Sequence, residues 1–306
     1  MTGHVVAVGG VNLDTLARVT GDRTDAGTSN PGRTTRTAGG VARNVAENLA
    51  RLGTPVRLVA VVGRDPVGEE LLAGLATAGV DVSAVLRSDL PTGSYTAVLD
   101  HRGDLVAGVA DMAAAESLSP GELAADTFAG AAWAVVDGNL VPETVRHCLA
   151  LAADADVPVV LDPVGVAKAS RLPLRCAVHT FTPNRDELAA FAGTHDLHDG
   201  VAVTHRRGVH TIWLREGPQG STLFRTGHAP VPVRLPPAEV VDVTGAGDAM
   251  LAGYLHRMVD GSDAVEAARF GAAAAWLTVR SPYSVCPGLT HDLVEQTLDR
   301  LQGSTP

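Results

Sequence analysis

Residues Val240–Met250 read VVDVTGAGDAM: a glycine-rich turn lies between two aspartates, and an apolar helical run follows at once. Small residues leave backbone N–H groups uncovered at the start of a helix, where the helix dipole also favours an anion. The stretch therefore predicts an anion site at a helix N-terminus. A plainer interpretation stays open, in which the glycine loop only begins a packed helix, because short glycine motifs are often incidental.

Asp248 ends this turn and favours a catalytic interpretation. A carboxylate beside an anion site is electrostatically costly, so a structural role alone explains it poorly. The carboxylate is useful if the anion is a phosphoryl group in transfer, because Asp248 can then accept the proton of the attacking hydroxyl. We therefore predict that Asp248 is a general base.

Composition limits the class of protein. The chain has 306 residues, enough for one large α/β domain or two small ones. Hydrophobic residues make up 45% and aromatic residues only 4%, so Val, Leu and Ala must build the core. A net charge of −10 argues against a nucleic acid polymer or an anionic membrane as the main partner. A small phosphorylated ligand needs only a local positive field and stays compatible.

The cysteines and the N-terminus bear on location. Cys148, Cys176 and Cys286 are far apart and odd in number, which argues against a zinc site or a disulfide framework. The first residues lack a basic region followed by an apolar core, and no apolar run reaches membrane-spanning length. We expect a cytoplasmic protein.

The first strand and helix of the chain carry candidate binding residues. The apolar run His4–Gly9 predicts a buried parallel strand, and Asn12 and Asp14 follow its carboxyl end, where α/β sheets bind ligands. Asp14 can accept two hydrogen bonds from a vicinal diol; a turn-forming role explains it equally well. Gly39 and Gly40 open a helix and allow a ligand close to the backbone. Asn44, one turn further, is either a solvated helix residue or a ligand for sugar hydroxyls.

Beyond residue 112 strands and helices alternate, as in an α/β sheet. The predicted strands cover residues 132–136, 158–161, 178–182, 212–216 and 221–224, and the predicted helices cover residues 120–130, 141–154, 248–259, 262–280 and 291–301. Polar residues repeat at the strand ends, which is typical of a site: Asp137, Asn139, Asp162, Asn184 and Glu187. Asn184 and Glu187 also suit a helix N-terminus for dipole reasons alone.

Two segments depart from this alternation, at 15–38 and 92–112, and read as strands and loops. They predict one small sheet that covers the main domain as a lid. No repeat or long linker divides the chain, so we expect a single domain over residues 1–306.

A family resemblance rests on five motifs that occur in order. They are Asn12 with Asp14, Gly39-Gly40 with Asn44, Asn184–Glu187, Glu216–Gly220 and Asp242–Asp248. With them the chain resembles the PfkB/ribokinase family of carbohydrate and nucleoside kinases over essentially its full length. The sequence has no GxxxxGK[ST] motif, so it is not a P-loop enzyme. The resemblance implies a ribokinase-like three-layer α/β/α sandwich with a Rossmann-like central sheet and a β-sheet lid.

Within that family, several segments in or near the expected lid are similar to those of pseudouridine kinases. The segments are Ser29–Gly32, Gly39–Asn44, Thr92–Tyr95, Ala110–Met112 and Asp162–Val164. This likeness implies ATP-dependent phosphorylation of the 5′-hydroxyl of a ribonucleoside, pseudouridine above all.

The resemblance also implies roles for residues. Asp248 would be the base, with the backbone N–H groups of Gly245, Ala246 and Gly247 as the anion hole. Glu187 and Asn184 would hold Mg²⁺ through waters, and Asp242 a potassium ion. The ATP site would comprise Asn184, Glu216, Gly217, Gly220, Thr244, Gly245 and Gly247.

For the acceptor, the resemblance implies that Asn12, Asp14, Gly39, Gly40 and Asn44 surround the ribose. Selecting pseudouridine needs groups that recognise its extra ring N–H; the candidates are Ser94, Tyr95, Asp111, Asn139 and Lys168. Lys168 is the chain's sole lysine, and we expect it to contact the base or the phosphates. Relatives often dimerise through their lids, which makes a homodimer through 15–38 and 92–112 a further expectation.

Other functions stay open. The acceptor could be another ribonucleoside or a sugar, as in ribokinase, adenosine kinase or fructokinase. A non-catalytic nucleoside-binding protein would not need Asp248 beside the glycine turn. A nicotinamide-linked dehydrogenase is disfavoured, because Gly9–Asp14 lacks G-x-G-x-x-G spacing.

Overall fold

The computed structural model describes residues 3–173, 175 and 177–303. Its centre is a nine-stranded sheet in the order β13-β12-β11-β10-β9-β8-β1-β4-β5. The strands are β1 (His4–Val8), β4 (Val56–Gly63), β5 (Val85–Ser88), β8 (Ala131–Asp137), β9 (Val159–Asp162), β10 (Val178–Phe181), β11 (Val209–Arg215), β12 (Ser221–Arg225) and β13 (Val231–Val233). In this order, the seven strands from β11 to β5 pair in parallel with their neighbours. β12 and β13 extend the sheet beyond β11 in antiparallel pairing.

Helices cover both faces of this sheet, because strands of the parallel region are apolar on both sides. In β1, Val5 and Ala7 join one hydrophobic core, whereas Val6 and Val8 join a second core on the opposite face. The helices are α1 (Val41–Arg51), α2 (Pro66–Thr77), α3 (Ala113–Glu116), α4 (Pro142–Asp154), α5 (Val166–Ala169), α6 (Arg185–Ala192), α7 (Leu197–Arg206), α8 (Ala246–Val259), α9 (Ala264–Thr278) and α10 (His291–Gly303). The predicted three-layer α/β/α architecture is confirmed.

The two segments outside the βα alternation form one four-stranded sheet, as predicted. Its strands are β2 (Asn12–Val19), β3 (Gly32–Gly39), β6 (Gly93–Leu99) and β7 (Leu105–Asp111), in the order β3-β2-β6-β7. β2 begins only four residues after β1 ends, so this sheet lies next to the carboxyl edge of the central sheet. Its role as a lid stays a prediction.

One predicted helix is wrong. Residues 120–130 contain only a short 3₁₀ turn, Pro120–Glu122, followed by turns up to β8. Ser119 and Glu122 form a capping box around Pro120 and Gly121, but the backbone is already extended at Leu123, which ends the turn. Leu123 and Phe128 are buried in the core without a helix.

The other predicted elements match the structure to within a few residues. Cys148 and Cys286 are free, while Cys176 lies outside the described residues. Over the described residues, every helix is either too short or too polar to cross a membrane.

Candidate active site

The site lies where the strand order reverses. From β1 the sheet proceeds to β4 on one side and to β8 on the other, and such a switch point opens a crevice at the carboxyl ends of the strands. Asp137 ends β8, Asp162 ends β9 and Arg215 ends β11. The chain therefore collects charged side chains from separate strands at one edge.

Asp248 lies in the first turn of α8 and is only 9% exposed. Asn44 Nδ2, from α1, donates a hydrogen bond of 2.8 Å to Asp248 Oδ2. Burial raises the pKa of Asp248 to about 7, and the nearby charges of Asp162 and Asp137 act in the same direction. The Asn44 hydrogen bond and the charge of Arg215 oppose this rise. The result is a carboxylate whose pKa suits proton transfer near neutral pH.

The turn before Asp248 is shaped by Gly245. Gly245 is in the left-handed region (φ +76°), and a Cβ there would collide with the carbonyl oxygen of Ser284. No side chain in the described part of the chain caps the N-terminus of α8. The Ala246 N–H donates to Val243 O at 3.3 Å, and an anion site at this helix start stays a prediction.

Asp14 and Asn12 come together at the start of β2. Asn12 Nδ2 donates a 2.6 Å hydrogen bond to Asp14 Oδ1. A Cβ on Gly39 would collide with the Asp14 carboxylate, so glycine is needed for this side chain to fit. Burial raises the pKa of Asp14, while the Asn12 bond and the charge of Arg43 lower it.

Asp137 is a buried acid with a structural explanation. Its Oδ2 accepts hydrogen bonds from the backbone N–H groups of Gly10 and Ala42, both 2.9 Å, and its Oδ1 accepts one from Asn139 N. It thereby ties the end of β1 to the start of α1. Gly40 (φ +101°) completes this junction, because a Cβ there would collide with Gly10 O.

The sequence interpretation missed Arg215. Its Nη1 lies 3.2 Å from Asp162 Oδ2 and its Nη2 lies 3.1 Å from Glu187 Oε2. A Cβ on Gly247 would lie 2.7 Å from Nη1, so the guanidinium lies against the glycine turn Gly245–Gly247, which we call the anion turn. Burial lowers the pKa of Arg215, but Asp162 and Glu187 outweigh it and the net shift is upward. Its position at the end of a predicted strand is its signal in the sequence, and this signal is weak because arginines at strand ends are usually solvated.

Asn184 and Glu187 cap α6 as a reciprocal pair. Asn184 Oδ1 accepts from Glu187 N at 2.9 Å, and Glu187 Oε2 accepts from Asn184 N at 2.8 Å. The helix-start interpretation of these residues is therefore confirmed. Burial raises the pKa of Glu187, which is opposed by Arg215.

The residues predicted for ATP lie along the nearby loops. Glu216 is bonded by Arg185 (3.0 Å), Arg234 (3.0 Å) and Thr222 (2.8 Å), so its carboxylate is already paired with protein groups. Gly217 (φ +57°) and Gly220 (φ +89°) bound the 3₁₀ turn that follows.

Asp242 lies in the loop before the anion turn and forms two hydrogen bonds with backbone groups. Its Oδ1 accepts from Thr244 N at 2.8 Å, and its own N–H donates to Val279 O at 3.2 Å. This brings Asp242 to the end of α9.

Two of the base-reading candidates meet at the sheet edge. Lys168 Nζ donates to Asn139 Oδ1, which joins α5 to the loop after β8. Burial lowers the pKa of Lys168, while Asp137 and Glu116 raise it.

The other three candidates are divided between two faces. Asp14 is in register with Tyr95, and Ser94 is in register with Asp111. Since successive side chains of a strand point to opposite faces, Tyr95 shares the face of Asp14, and Ser94 and Asp111 do not. Among the described residues, no group of three His, Cys, Asp or Glu side chains could hold a metal ion.

Comparison with known proteins decides the family. Residues 2–287 match the description "pfkB family carbohydrate kinase". The chain belongs to the pfkB family of carbohydrate kinases. Members of this family are phosphotransferases that act on hydroxyl groups, so this pfkB-family protein is a sugar or nucleoside kinase.

Three relatives of this pfkB-family kinase are informative. The pseudouridine kinase of Escherichia coli (strain K12) is 32% identical over 94% of both proteins. A carbohydrate kinase from Agrobacterium tumefaciens has a TM-score of 0.84 and 31% identity, with 98% of each chain covered. Arabidopsis thaliana ribokinase, solved with ribose and ATP, has a TM-score of 0.82 and 26% identity, with 97% of this chain and 99% of that chain covered.

Proposed function

We propose that this kinase transfers the γ-phosphoryl group of ATP to the 5′-hydroxyl of a ribonucleoside, and that its acceptor is pseudouridine. One observation carries the proposal of kinase chemistry: Asp248, with a pKa near neutrality, stands at the open start of α8. The 32% identity to a pseudouridine kinase over nearly the whole length supports the acceptor.

Asp248 acts as the general base in this proposal. Asn44 occupies its Oδ2, which leaves Oδ1 for the proton of the 5′-hydroxyl. The backbone N–H groups of Gly245, Ala246 and Gly247 stabilise the charge that develops on the phosphoryl oxygens, an effect commonly worth about 10²–10³ in rate. Arg215 adds a positive charge beside Gly247.

The donor groups of the site fit a nucleoside triphosphate, because the uncapped start of α8 and the Arg215 guanidinium both favour an anion. Bound ATP with Mg²⁺ supplies the phosphoryl group. Thr244, Glu216, Gly217 and Gly220 border the proposed nucleotide site. Both bonds of Glu187 given above use Oε2, which leaves Oε1 for a metal-bound water, with Asn184 beside it.

Asp242 is our candidate for a potassium site. It lies against the end of α9, and Gly245 lies against the carbonyl of Ser284, so two loops with carbonyl oxygens meet here. Activity measured in K⁺ and in a tetramethylammonium salt of equal ionic strength tests this. Equal activities would refute the site.

The ribose site is proposed around Asp14. Its carboxylate, held by Asn12 and admitted by Gly39, accepts hydrogen bonds from the 2′- and 3′-hydroxyls. Asn44 and Gly40 border the same space from α1.

Base recognition is proposed for Lys168 and Asn139. A lysine ammonium can only donate, so Lys168 suits a carbonyl oxygen of the base, and the second lone pair of Asn139 Oδ1 suits the extra N–H of pseudouridine. Tyr95 shares a sheet face with Asp14 and is a third candidate. Ser94 and Asp111 stay candidates that would need to act from the strand end. Lys168→Arg should raise the KM for pseudouridine at least tenfold, because the bulkier fork cannot replace a compact ammonium. An unchanged KM would remove Lys168 from the proposed site.

The deciding experiment is coupled ADP release over a panel of pseudouridine, uridine, adenosine, ribose and fructose. We expect the highest kcat/KM for pseudouridine, with uridine disfavoured because a polar group of the site would be left unpaired. A clearly higher value for any other acceptor would refute the specificity.

Ribose is the second candidate acceptor, since a ribokinase solved with ribose and ATP shares this fold over 97% of the chain. The two acceptors differ in the base, so the Lys168 variant separates them: it should leave ribose phosphorylation unchanged if ribose is the true substrate.

A further inference from the structure

Arg43 is a buried cation one hydrogen-bonded residue away from Asp248, and the proposed reaction gives it no function. It lies in α1, directly before Asn44, and is 8% exposed. Its Nη1 donates a 2.9 Å hydrogen bond to Asn44 Oδ1, and its Nη2 bonds Glu47 Oε2. Glu47 Oε1 accepts two further bonds from Arg51, of 3.0 and 2.7 Å.

The chemistry of these groups leaves Asn44 only one orientation. A guanidinium can donate but not accept, so the amide atom that faces Arg43 must be the oxygen. The NH₂ group must then face the other way, where an ionised Asp248 can only accept. A reversed amide would place two donors together at Arg43 and two acceptors together at Asp248.

Glu47 in turn holds the guanidinium in place. The Arg43–Glu47 pair spans one turn of α1, and both side chains are about nine-tenths buried. Thus a continuous hydrogen-bond chain runs Glu47–Arg43–Asn44–Asp248 and connects the interior of α1 to the first turn of α8.

We infer that Arg43 is a positioning residue: by fixing the Asn44 amide, it makes Asn44 hold one oxygen of Asp248 and leaves the other oxygen for the acceptor hydroxyl. The inference rests on the proposed function of Asp248 as base. It also implies which atoms Asn44 can offer to the sugar: the second hydrogen of Nδ2 and the remaining lone pair of Oδ1.

Other charged groups act on Asp248 and must be held constant in a test. Asp162 and Asp137 face it from the ends of β9 and β8, and Arg215 faces it from β11. The cation of Arg43 is itself attracted to both Asp248 and Asp14. Loss of Arg43 removes a positive charge near Asp248 and leaves the Asn44 donor without a fixed orientation. Both effects stabilise the protonated form of Asp248.

The test compares Arg43→Met with Arg51→Met, using whichever acceptor the wild type phosphorylates best. Both variants remove an arginine from Glu47, but only the first releases Asn44. For Arg43→Met we expect kcat to fall about tenfold or more, with the KM for ATP unchanged. The acidic limb of its pH profile should move to higher pH. Arg51→Met should keep the wild-type kcat and profile.

Two further measurements keep the test decisive. If Arg43→Met does not fold, Arg43→Lys replaces it, since one ammonium cannot hold both Glu47 and Asn44 in the guanidinium geometry. Lysine keeps the positive charge, so a smaller shift in the same direction is expected, and a wild-type profile would overturn the inference. Asn44→Ala combined with Arg43→Lys, which keeps the positive charge, should cost no more than Asn44→Ala alone, and additive losses would also overturn the inference. A wild type that phosphorylates no acceptor would instead refute the proposed function.

Discussion

Two features of its surroundings disfavour the ionised form of Asp248. It is almost fully buried, and it lies within the field of Asp162 and Asp137. Arg215 and Asn44 limit the cost of ionisation, so the pKa rises only to about 7. Burial, the first of these causes, depends on α1 and α8 packing together around the Asn44–Asp248 bond.

A raised pKa predicts the pH dependence of activity. Only the ionised carboxylate can accept a proton, so kcat/KM should fall about tenfold per pH unit below about pH 7. The measurement is kcat/KM for the acceptor from pH 5.5 to 9 at saturating ATP. A flat profile across pH 5.5–7 would show that Asp248 is not the base.

Asp248→Asn should abolish turnover, with a loss of about 10²–10⁴-fold, while affinity for ATP stays within a few-fold. The amide keeps the size of the side chain and the hydrogen-bonding environment of Asn44, so binding need not change. Isothermal titration with ATP and steady-state kinetics check the two parts. Retained turnover would contradict the proposed mechanism.

The same substitution has a predicted effect on stability. Because the pKa of Asp248 is raised on folding, its contribution is fully favourable below its ordinary pKa of 3.8 and is lost as pH rises through about 7. Asp248→Asn stays neutral, so its Tm relative to wild type should increase between pH 5 and pH 8. Thermal unfolding of both proteins at the two pH values measures this. A Tm difference between variant and wild type that is the same at pH 5 and pH 8 would contradict the prediction.

Turns and helix ends decide how the site is built, and Gly245 shows why. The start of α8 requires a left-handed residue that also fits against Ser284 O. Gly245→Ala should lower the free energy of unfolding by at least about 2 kcal/mol and weaken ATP binding, since the anion turn must shift.

A second glycine supplies the matched control. Gly74 lies in α2, exposed, and a Cβ there would have nothing within 4 Å. Gly74→Ala should raise the free energy of unfolding by about 0.5–1 kcal/mol and leave ATP binding unchanged. Chemical denaturation of both variants tests the pair; a Gly245→Ala protein as stable as wild type would refute the argument.

The capping box of α6 shows how one motif can serve two purposes. Asn184 and Glu187 satisfy the first N–H groups of their helix, yet Glu187 also pairs with Arg215 at the site. Capping therefore positions these side chains at the sheet edge, and the structural and functional interpretations of the motif are compatible.

At the level of the whole molecule, the four-stranded sheet leaves β7 as an edge strand. Leu105 (59%), Val106 (51%) and Val109 (68%) are exposed large hydrophobic residues on it. An exposed apolar edge strand tends to pair or to be covered. We therefore keep the expectation of a homodimer through this sheet.

Light scattering after size exclusion measures that assembly. The wild type should elute as a dimer, and Val109→Lys should shift it to monomer, because a charge at an edge opposes pairing. Gly74→Ala again serves as the control. A monomeric wild type at micromolar concentration would remove the lid from consideration as a dimer interface.

Local patterns were enough to predict most of the architecture. Apolar runs such as Val5–Val8 have no polar face, which predicts strands that are buried on both sides. The turn before α8 was also predicted, because glycine can adopt the left-handed conformation that Gly245 has in the structure (φ +76°). The helix predicted for residues 120–130 was wrong because a helix start does not determine helix length: the backbone becomes extended at Leu123, and the apolar residues that follow are buried from turns.

Contacts between distant segments could not be predicted in the same way. Asn44 and Asp248 are 204 positions apart, and Asn139 and Lys168 are 29 positions apart, with the whole of α4 and β9 between them. Arg215 was overlooked because an arginine at a strand end is usually solvated, and only packing against Asp162 and Glu187 makes it part of the site.

The glycine-rich turn at 240–250 thus predicts an anion site beside a carboxylate from sequence alone, because backbone conformation and helix dipole are local properties. The pKa of Asp248, the orientation of Asn44 and the division of Tyr95 from Ser94 depend on burial, on partners and on strand register. Those are set only when separate elements pack together, and a single segment contains no information about its neighbours' fields.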